Sequence, residues 1–270
     1  MEKVNWKQFS EASGRHFDPE EFGRLKAETI NNTQGYLKGY DCPKCLNRGI
    51  YAVPNGDGVI IHECVCMKAR RGMVRLEQSG LKKVIEDLTF ENFCATDGWQ
   101  QRVKQGAMDF AAKPEGWLLF CGQVGCGKTH LCTAVSRQLL LAGYEVRYAP
   151  WRDEVAQLKA LSLDSERRGV LLRELKKSQV LYIDDFFKSG KGIDGMSNPT
   201  RADVDLAFEI INFRYINNMT TIISTEKSPA ELWDIDEAVA SRIMEKAKKH
   251  IFQIKQNPSR NYRLKGIVEF

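Results

Sequence analysis

The pattern of apolar and polar residues divides the chain near residue 86. Residues 1–39 are polar and charged with scattered aromatic side chains, and Asp18 followed by Pro19 predicts the start of a helix. The stretch "GIYAVPNGDGVIIHECVC" (49–66) predicts two short strands around a turn, and the basic residues 68–85 predict a short helix and a linker. We therefore expect a small N-terminal module over residues 1–85.

From residue 87 onward, apolar strands alternate with amphipathic helices. Strands are predicted at 116–122, 144–151, 179–186 and 219–226, and helices at 128–143, over most of 152–178, and at 204–218. This alternation predicts an α/β domain over residues 86–270, in which helices cover both faces of a parallel sheet. The Gly-, Ser- and Asn-rich residues 187–203 predict a mobile loop.

Composition narrows the class of protein. The 270 residues are 43% hydrophobic and 28% charged, which is typical of a globular chain with a substantial core. Eight cysteines behind a charged N-terminus without an apolar core indicate a reducing cytoplasm and argue against a disulfide framework. No run of 18 apolar residues predicts a membrane span, and a net charge of +5 permits nucleic-acid binding without requiring it.

The most specific motif is "GQVGCGKT" (122–129), which fits G-x-x-x-x-G-K-[ST] between a predicted strand and a predicted helix. Its glycines let backbone N–H groups point at phosphates, and the helix N-terminus favours the same anions. Lys128 is expected at the β- and γ-phosphates, and the Thr129 hydroxyl at a magnesium ion. The predicted ATP-binding residues are Gly122, Gln123, Val124, Gly125, Cys126, Gly127, Lys128, Thr129 and His130.

A second motif, "VLYIDD", follows about 55 residues later and ends in Asp184 and Asp185. Because ligands bind at the carboxyl ends of parallel strands, this position is suited to a nucleotide. We expect Asp184 to coordinate magnesium, directly or through water, and Asp185 to activate the attacking water.

The stretch "CPKC…HECVC" carries Cys42, Cys45, Cys64 and Cys66, with His62 ahead of the second pair. The spacing is close to that of zinc sites built from two cysteine pairs, although the second pair is C-x-C. If the segment is a strand, His62, Cys64 and Cys66 share one face, so His62 can replace a cysteine as ligand. A redox pair lacks its usual βαβ context. Four free buried thiols are the remaining alternative.

Taken in order, "GWLLFCGQVGCGKTHLCTAVSRQLL", "LYIDDFFK", "AFEIINFRYINNMTTIISTE" and "VASRI" resemble the AAA+ ATPases of the bacterial helicase-loader group, the DnaC/DnaI type, including phage and prophage versions. The resemblance covers roughly residues 86–256. It implies an ATPase that loads a hexameric replicative helicase onto single-stranded DNA at replication initiation. It also implies self-assembly on ATP binding, and an N-terminal zinc module that grips the helicase.

The resemblance assigns further residues. Arg242 in "ASRI" matches the arginine finger that acts on the γ-phosphate of a neighbouring subunit. Thr225 lies where a polar sensor is expected, but the resemblance puts Glu226 in the place of the usual Asn. Near a triphosphate, Glu226 would be repelled unless magnesium or a basic residue lies between. This departure predicts slow hydrolysis stimulated by a partner or by DNA. Arg214 is either a further basic contact or a helix cap.

Residues 151–177 lie between the second and third strands, where this group contacts single-stranded DNA. Arg152, Lys159, Arg167 and Arg168 can touch phosphates, and Trp151 can stack on a base. The interleaved acidic residues fit a solvated charged helix face equally well.

Three other functions use the same core. A transposase-helper ATPase of the IstB type differs in its partner, and its members usually carry a different N-terminal segment. A small-molecule P-loop kinase fits the "VLYIDD" strand poorly. An adaptor that senses ATP without hydrolysing it is compatible with Glu226.

Overall fold

The computed structural model describes residues 18–38, 41–76, 87–188 and 199–264. The chain divides into two compact units, residues 1–71 and 72–270. The boundary predicted at residue 85, the residues before 18, and residues 189–198 of the predicted loop lie outside the described residues.

The N-terminal unit consists of a helix, a hairpin and two cysteine turns. Helix α1 (Pro19–Asn32) starts where predicted, and the Asp18 side chain caps it by accepting a hydrogen bond from the Glu20 N–H at 2.9 Å. The predicted hairpin is confirmed as antiparallel strands β1 (Ile50–Asn55) and β2 (Gly58–Glu63). The Asn31 amide bonds both backbone groups of Ala52, at 2.8 and 2.9 Å, and so ties α1 to β1.

Helix α2 (Cys66–Leu76) follows the hairpin, and the second unit then begins its alternation. The helices of this unit are α3 (Gly98–Ala112), α4 (Lys128–Leu141), α5 (Trp151–Ala160), α6 (Ser165–Lys177), α7 (Arg201–Ile216), α8 (Pro229–Ile235) and α9 (Glu237–Ala247). Its strands are β3 (Trp117–Gly122), β4 (Val146–Pro150), β5 (Val180–Asp184), β6 (Thr220–Thr225) and β7 (Ile251–Ile254). Two single-turn 3-10 helices, Pro258–Arg260 and Tyr262–Leu264, complete the described part.

The five strands form one parallel sheet in the order β4-β5-β6-β3-β7, which confirms the predicted α/β architecture. Alternate side chains of β3 enter two separate cores: Trp117 and Leu119 face one cluster, while Leu118 and Phe120 face the other. Helices α3 and α4 contribute to the second cluster, and α5 to α9 to the first. None of the described helices is both long and apolar enough to cross a bilayer.

Three details differ from the pattern-based expectation. Residues 152–178 form two helices, because Asp164 accepts a hydrogen bond from the Arg167 N–H at 3.0 Å and caps a new start. Helix α3 and strand β7 were not predicted. Helix α3 buries the polar Gln100 together with small alanines, and β7 is only four residues long, so neither gives a strong periodic signal.

The sheet topology positions the site. Because all five strands are parallel, their carboxyl ends lie at one edge. The loop after β3, the acidic pair at the end of β5 and the end of β6 therefore meet there. This is the edge at which ligands bind in open α/β sheets.

Candidate functional site

The loop between β3 and α4 has the geometry of a phosphate cradle. Gly122, Gly125 and Gly127 adopt positive φ values of 104°, 73° and 94°, which side chains disfavour. At Gly122 a Cβ atom would also lie 2.2 Å from the Ile254 carbonyl oxygen of β7. Gly127 is the N-cap of α4, so this helix begins at the loop and directs its first N–H groups towards it.

Lys128 is the first residue of α4 and is buried. Its ammonium group donates hydrogen bonds to the Gly122 and Gln123 carbonyl oxygens, at 2.8 and 2.6 Å. The Cys126 thiol contacts the Gln123 oxygen at 2.9 Å, and burial raises the pKa of Cys126. These contacts hold the lysine against the loop that its charge serves.

Asp184 lies at the centre of a group of four hydroxyl groups. The Thr129 hydroxyl donates to Oδ1 at 3.1 Å, the Tyr182 hydroxyl to Oδ1 at 2.8 Å and the Tyr148 hydroxyl to Oδ2 at 3.0 Å, and Ser224 also donates to Oδ1. Burial, reinforced by the Asp184 charge, raises the pKa of both tyrosines, so they remain neutral donors. The structure thus joins Thr129 and Asp184, the two predicted magnesium ligands, and their oxygen chemistry fits that ion.

Asp185 is held beside Asp184 by a tight turn. Its φ is 54°, and its N–H donates to the Ser224 hydroxyl at 3.0 Å. Its Oδ2 forms an ion pair with the Lys188 ammonium at 2.9 Å, and Lys188 also pairs with Glu226 at 2.8 Å. Burial alone would lower the pKa of Lys188, but the bonds to Glu226 and Asp185 outweigh it and raise the pKa. A basic residue therefore does lie against Glu226.

One cleft of about 440 Å³ is lined by the part of these groups that consists of Gly125, Gly127, Lys128, Thr129, Asp185, Lys188 and Glu226. Its remaining walls come from Leu88, Asn92, Phe93, Cys94, Val124, His130, Tyr262 and Arg263. The His130 Nε2–H donates to the Thr89 carbonyl oxygen at 2.7 Å, and the ring meets Phe93 edge-on. Burial lowers the pKa of His130, so its ring is neutral at neutral pH. The volume and the mixture of apolar and cationic walls fit a nucleotide.

The cysteine turns form a second candidate site, within the N-terminal unit. The sulfur atoms of Cys42, Cys45, Cys64 and Cys66 all lie within 4.8 Å of one another and are buried. Neighbouring sulfurs lie 3.8 Å (Cys42–Cys64) and 3.5 Å (Cys45–Cys66) apart. Four thiolates about 2.3 Å from a tetrahedral zinc ion would be separated by about 3.8 Å. The donor set therefore fits zinc.

The backbone shapes both cysteine turns. Leu46 and Asn47 adopt left-handed φ values of 47° and 65°, and the Gly49 N–H points at the Cys45 sulfur at 3.4 Å. Although burial alone would raise it, the Gly49 N–H and the other cysteines lower the pKa of Cys45 to about 7. Burial raises the pKa of Cys66 to about 12. Metal binding would remove the protons from all four thiols.

The expectation that His62, Cys64 and Cys66 share a strand face is wrong. Strand β2 ends at Glu63, Cys64 lies in the following turn, and Cys66 begins α2. His62 is exposed and stacks on Tyr51 with ring centroids 5.4 Å apart, outside the four-sulfur group. The turn after β2, which the strand pattern did not reveal, is what lets the C-x-C pair face the first pair.

Arg242 lies on α9, half-buried, in a defined setting. Its Nε donates to Asn212 Oδ1 at 2.9 Å and its Nη1 to the Ala238 carbonyl oxygen at 2.7 Å. The guanidinium also lies over the rings of Phe208 and Tyr215, 5.1 and 5.6 Å from their centroids. It is not among the residues that line the described nucleotide cleft.

Comparisons with known proteins show the family and the fold of the chain. A family model described as IstB-like ATP-binding protein matches residues 57–267. The chain belongs to this family. Among its relatives, the phage-like element PBSX protein XkdC of Bacillus subtilis (strain 168) is 29% identical over 240 residues, covering 84% of this chain and 88% of that protein.

Solved structures show the fold that this IstB-like protein shares. The DnaC helicase loader superposes with a TM-score of 0.51 at 24% identity, covering 65% of this chain and 99% of that one. DnaI gives a TM-score of 0.50 at 21% identity, covering 63% and 92%. The predicted AAA+ P-loop fold is confirmed.

Two residues of this IstB-like protein differ from their predicted roles. Thr225 is fully buried, and its hydroxyl donates to the Phe186 carbonyl oxygen at 2.7 Å, so it is not placed to position a water; Glu226 faces the cleft instead. Trp151 is also buried, packing edge-on against Phe186 and Phe187, so it cannot stack on a DNA base.

Only some of the other basic residues of this region form ion pairs within the chain. Arg152 is exposed and Arg168 half-buried, while Lys159 pairs with Asp203 at 2.6 Å and Arg167 with Asp164 at 3.5 Å. Arg214 is fully buried and is a helix cap: it donates to the carbonyl oxygens of Leu175, Lys176 and Ser178 at the end of α6.

Sequence reasoning missed the part of the cleft wall formed by the C-terminal segment. The Tyr262 N–H donates to the Gly125 carbonyl oxygen at 2.9 Å, and its hydroxyl to the Cys94 carbonyl oxygen at 2.7 Å. This brings Arg263 to the cleft, after a stretch without strong periodicity. The local signal in the sequence is limited to "NYR" (261–263), which is too short to interpret alone.

Proposed function

We propose that this chain is a cytoplasmic, ATP-dependent loader of a replicative DNA helicase onto single-stranded DNA. One juxtaposition carries the proposal: a complete nucleotide site and a surface arginine outside its cleft, joined in one chain to a separate four-cysteine unit. The similarity in fold to the DnaC helicase loader supports it.

Within the nucleotide site the residue roles follow from position. Lys128 would neutralise phosphate charge at the start of α4, and Thr129 and Asp184 would hold the magnesium ion. Bound ATP supplies the phosphoryl group whose transfer to water drives the cycle. Asp185 accepts the proton of the attacking water once its carboxylate is free of Lys188.

Arg242 acts in trans in this proposal. Asn212 and the two aromatic rings fix the guanidinium at the surface, which limits the entropy lost when it meets a phosphate. ATP bound in one subunit would thereby favour contact with the Arg242 of the next subunit. Assembly of several copies on ATP binding is the expected consequence.

The N-terminal unit would hold the helicase. A zinc ion at the four cysteines gives it a rigid hairpin, whose outer face presents Val53 and Ile60 as an opposed pair, 40% and 47% exposed. Exposed apolar residues on a rigid hairpin are suited to partner contact. Single-stranded DNA would meet the second unit, where Arg152 and Arg168 remain available to phosphates.

The test is co-purification with the helicase encoded by the same genome, with and without ATP, combined with steady-state ATP turnover. We expect association, and turnover that rises with helicase and single-stranded DNA. A chain that neither binds ATP nor associates with the helicase would contradict the proposal. Equal turnover by the wild type and Asp185→Asn would instead favour an adaptor that senses ATP without hydrolysing it.

A transposase helper is the second candidate, because the matching family model is that of IstB-like proteins. It would use the same nucleotide site with a transposase as its partner. Retention of the cognate transposase, and not of the helicase, would establish it.

A further inference from the structure

Lys188 lies between two carboxylates at one end of the nucleotide cleft. Its ammonium group is 2.9 Å from Asp185 Oδ2 and 2.8 Å from Glu226 Oε1. All three residues line the cleft that also contains Lys128 and Thr129. The three charges sum to −1, so this ammonium is shared between two carboxylates.

The backbone holds this ammonium in place. Asp185 and Phe187 both adopt left-handed φ values, 54° and 57°, which cost energy for residues with side chains. Phe186 and Phe187 are buried in the core and fix the turn, and the Lys188 N–H closes it on the Asp185 carbonyl oxygen at 2.9 Å. A surface ion pair forms without a strained turn and without two buried phenylalanines to fix it, so this arrangement indicates a further role for the ammonium group.

The ion pairs do not explain the arrangement by their stability alone. The Lys188 side chain is 41% exposed and that of Asp185 38%, and ion pairs this exposed contribute little to stability. The same exposure leaves the ammonium open to a ligand in the cleft. A triphosphate is a stronger partner for an ammonium group than a single carboxylate, because it presents more charge and more acceptor oxygens.

We propose that Lys188 is a ligand of the terminal phosphate and makes this chain distinguish a nucleoside triphosphate from a diphosphate. The proposal rests on the function proposed above, since it requires that the cleft binds ATP. Lys188 exchanges Asp185 for the terminal phosphate and keeps Glu226 on its other side. A neutral polar residue is expected to sense the phosphate at position 226. Glu226 instead holds Lys188, and this charged side chain contacts the phosphate.

A consequence follows for Asp185. Without a terminal phosphate, its Oδ2 accepts a hydrogen bond from the Lys188 ammonium and is not free to bond a water molecule. When Lys188 turns to the phosphate, the carboxylate is released at the moment when the substrate is in place. The same lysine therefore reports the triphosphate and frees the base.

The test measures nucleotide preference and needs no turnover. The full-length chain with Mg²⁺ is titrated with ADP and with the β,γ-methylene analogue of ATP, in competition with a fluorescent ADP. We expect Lys188→Ala to weaken the triphosphate analogue about 10-fold or more, the range for a hydrogen bond between charged groups, and to change ADP affinity less than about 2-fold. Lys188→Arg should retain most of the preference.

Two further variants complete the design. Lys249→Ala removes an exposed lysine outside the cleft and should leave both affinities unchanged. Asp185→Asn should strengthen triphosphate binding, because the anion that competes with the phosphate for Lys188 is gone, and its opposite sign separates the proposal from general damage to the fold. An unchanged ratio of triphosphate to ADP affinity in Lys188→Ala would overturn the proposal. If the wild type bound neither nucleotide, the proposed function would fail, and this inference with it.

Discussion

The two units of the chain are stabilised in different ways. In the described residues 18–38 and 41–71, the buried apolar side chains are four cysteines and three alanines. The second unit buries two large clusters that include Trp117, Phe110 and Phe120, on opposite faces of its sheet. One unit has almost no apolar core without its sulfurs, and the other has a core on each side.

This difference predicts a division of labour. Three alanines and a hairpin bury too little apolar surface to offset the entropy of ordering the chain, so we propose that a metal ion at the four cysteines supplies the missing folding free energy of the first unit. The second unit owes its stability to side-chain packing. The two units should therefore respond to different perturbations, and each response can be measured in the intact chain.

Removal of the metal should have the largest effect. Structural zinc sites contribute about 10–16 kcal/mol of apparent binding free energy at neutral pH, so Cys64→Ala or a strong chelator should unfold the first unit. Metal content by mass spectrometry and hydrogen exchange by residue check this. We expect one zinc per wild-type chain, fast exchange over residues 41–71 after its loss, and unchanged nucleotide binding.

His62→Ala is the matched control, because His62 lies outside the four-sulfur group. It should keep one zinc per chain. Loss of zinc in His62→Ala, or slow exchange in Cys64→Ala, would contradict the account of the first unit.

A buried polar group should be the weak point of the second unit. Arg214 bonds three carbonyl oxygens at the end of α6, and also the Thr220 carbonyl and the Thr221 hydroxyl oxygen. Arg214→Ala leaves these acceptors unpaired beside a cavity and should destabilise this unit by about 3 kcal/mol or more. Chemical unfolding followed by tryptophan fluorescence measures it. Arg214→Lys keeps the charge but loses the planar set of donors, so its free energy of unfolding should lie between those of the wild type and Arg214→Ala.

A wild-type midpoint in Arg214→Ala would show that the α6 carbonyl oxygens find other partners. It would also show that the stability of the second unit does not depend on this buried guanidinium.

The two units also differ in how far the sequence predicted them. The phosphate loop, Asp184 and the parallel sheet follow from local patterns, because strand, glycine turn and helix are adjacent in the chain. The four-cysteine group was predicted from spacing, but the position of His62 depended on where β2 ends, and a turn at Cys64 leaves no periodic signal. A DNA-stacking role for Trp151 remained open because a tryptophan after a strand does not reveal whether its side chain faces solvent or the core.

The least predictable part of the cleft is formed by residues far apart in sequence. Lys188 and Glu226 meet because β5 and β6 are neighbours in the sheet, and Arg263 arrives through a segment that follows β7. Which strands lie side by side, and where the segment after β7 packs, depend on tertiary structure and not on local sequence patterns. In the sequence, Glu226 is only a departure from the expected sensor residue. The structure adds its ion pair with Lys188.

The central claim is that the first unit binds the helicase while the second senses ATP. Retention of the chain on immobilised helicase, with ATP and Mg²⁺, tests it in three proteins: wild type, Lys128→Ala and Cys64→Ala. The account predicts that Lys128→Ala loses nucleotide binding but is still retained, and that Cys64→Ala binds nucleotide but is not retained. Retention of Cys64→Ala at the wild-type level, or loss of Lys128→Ala under the same conditions, would contradict it.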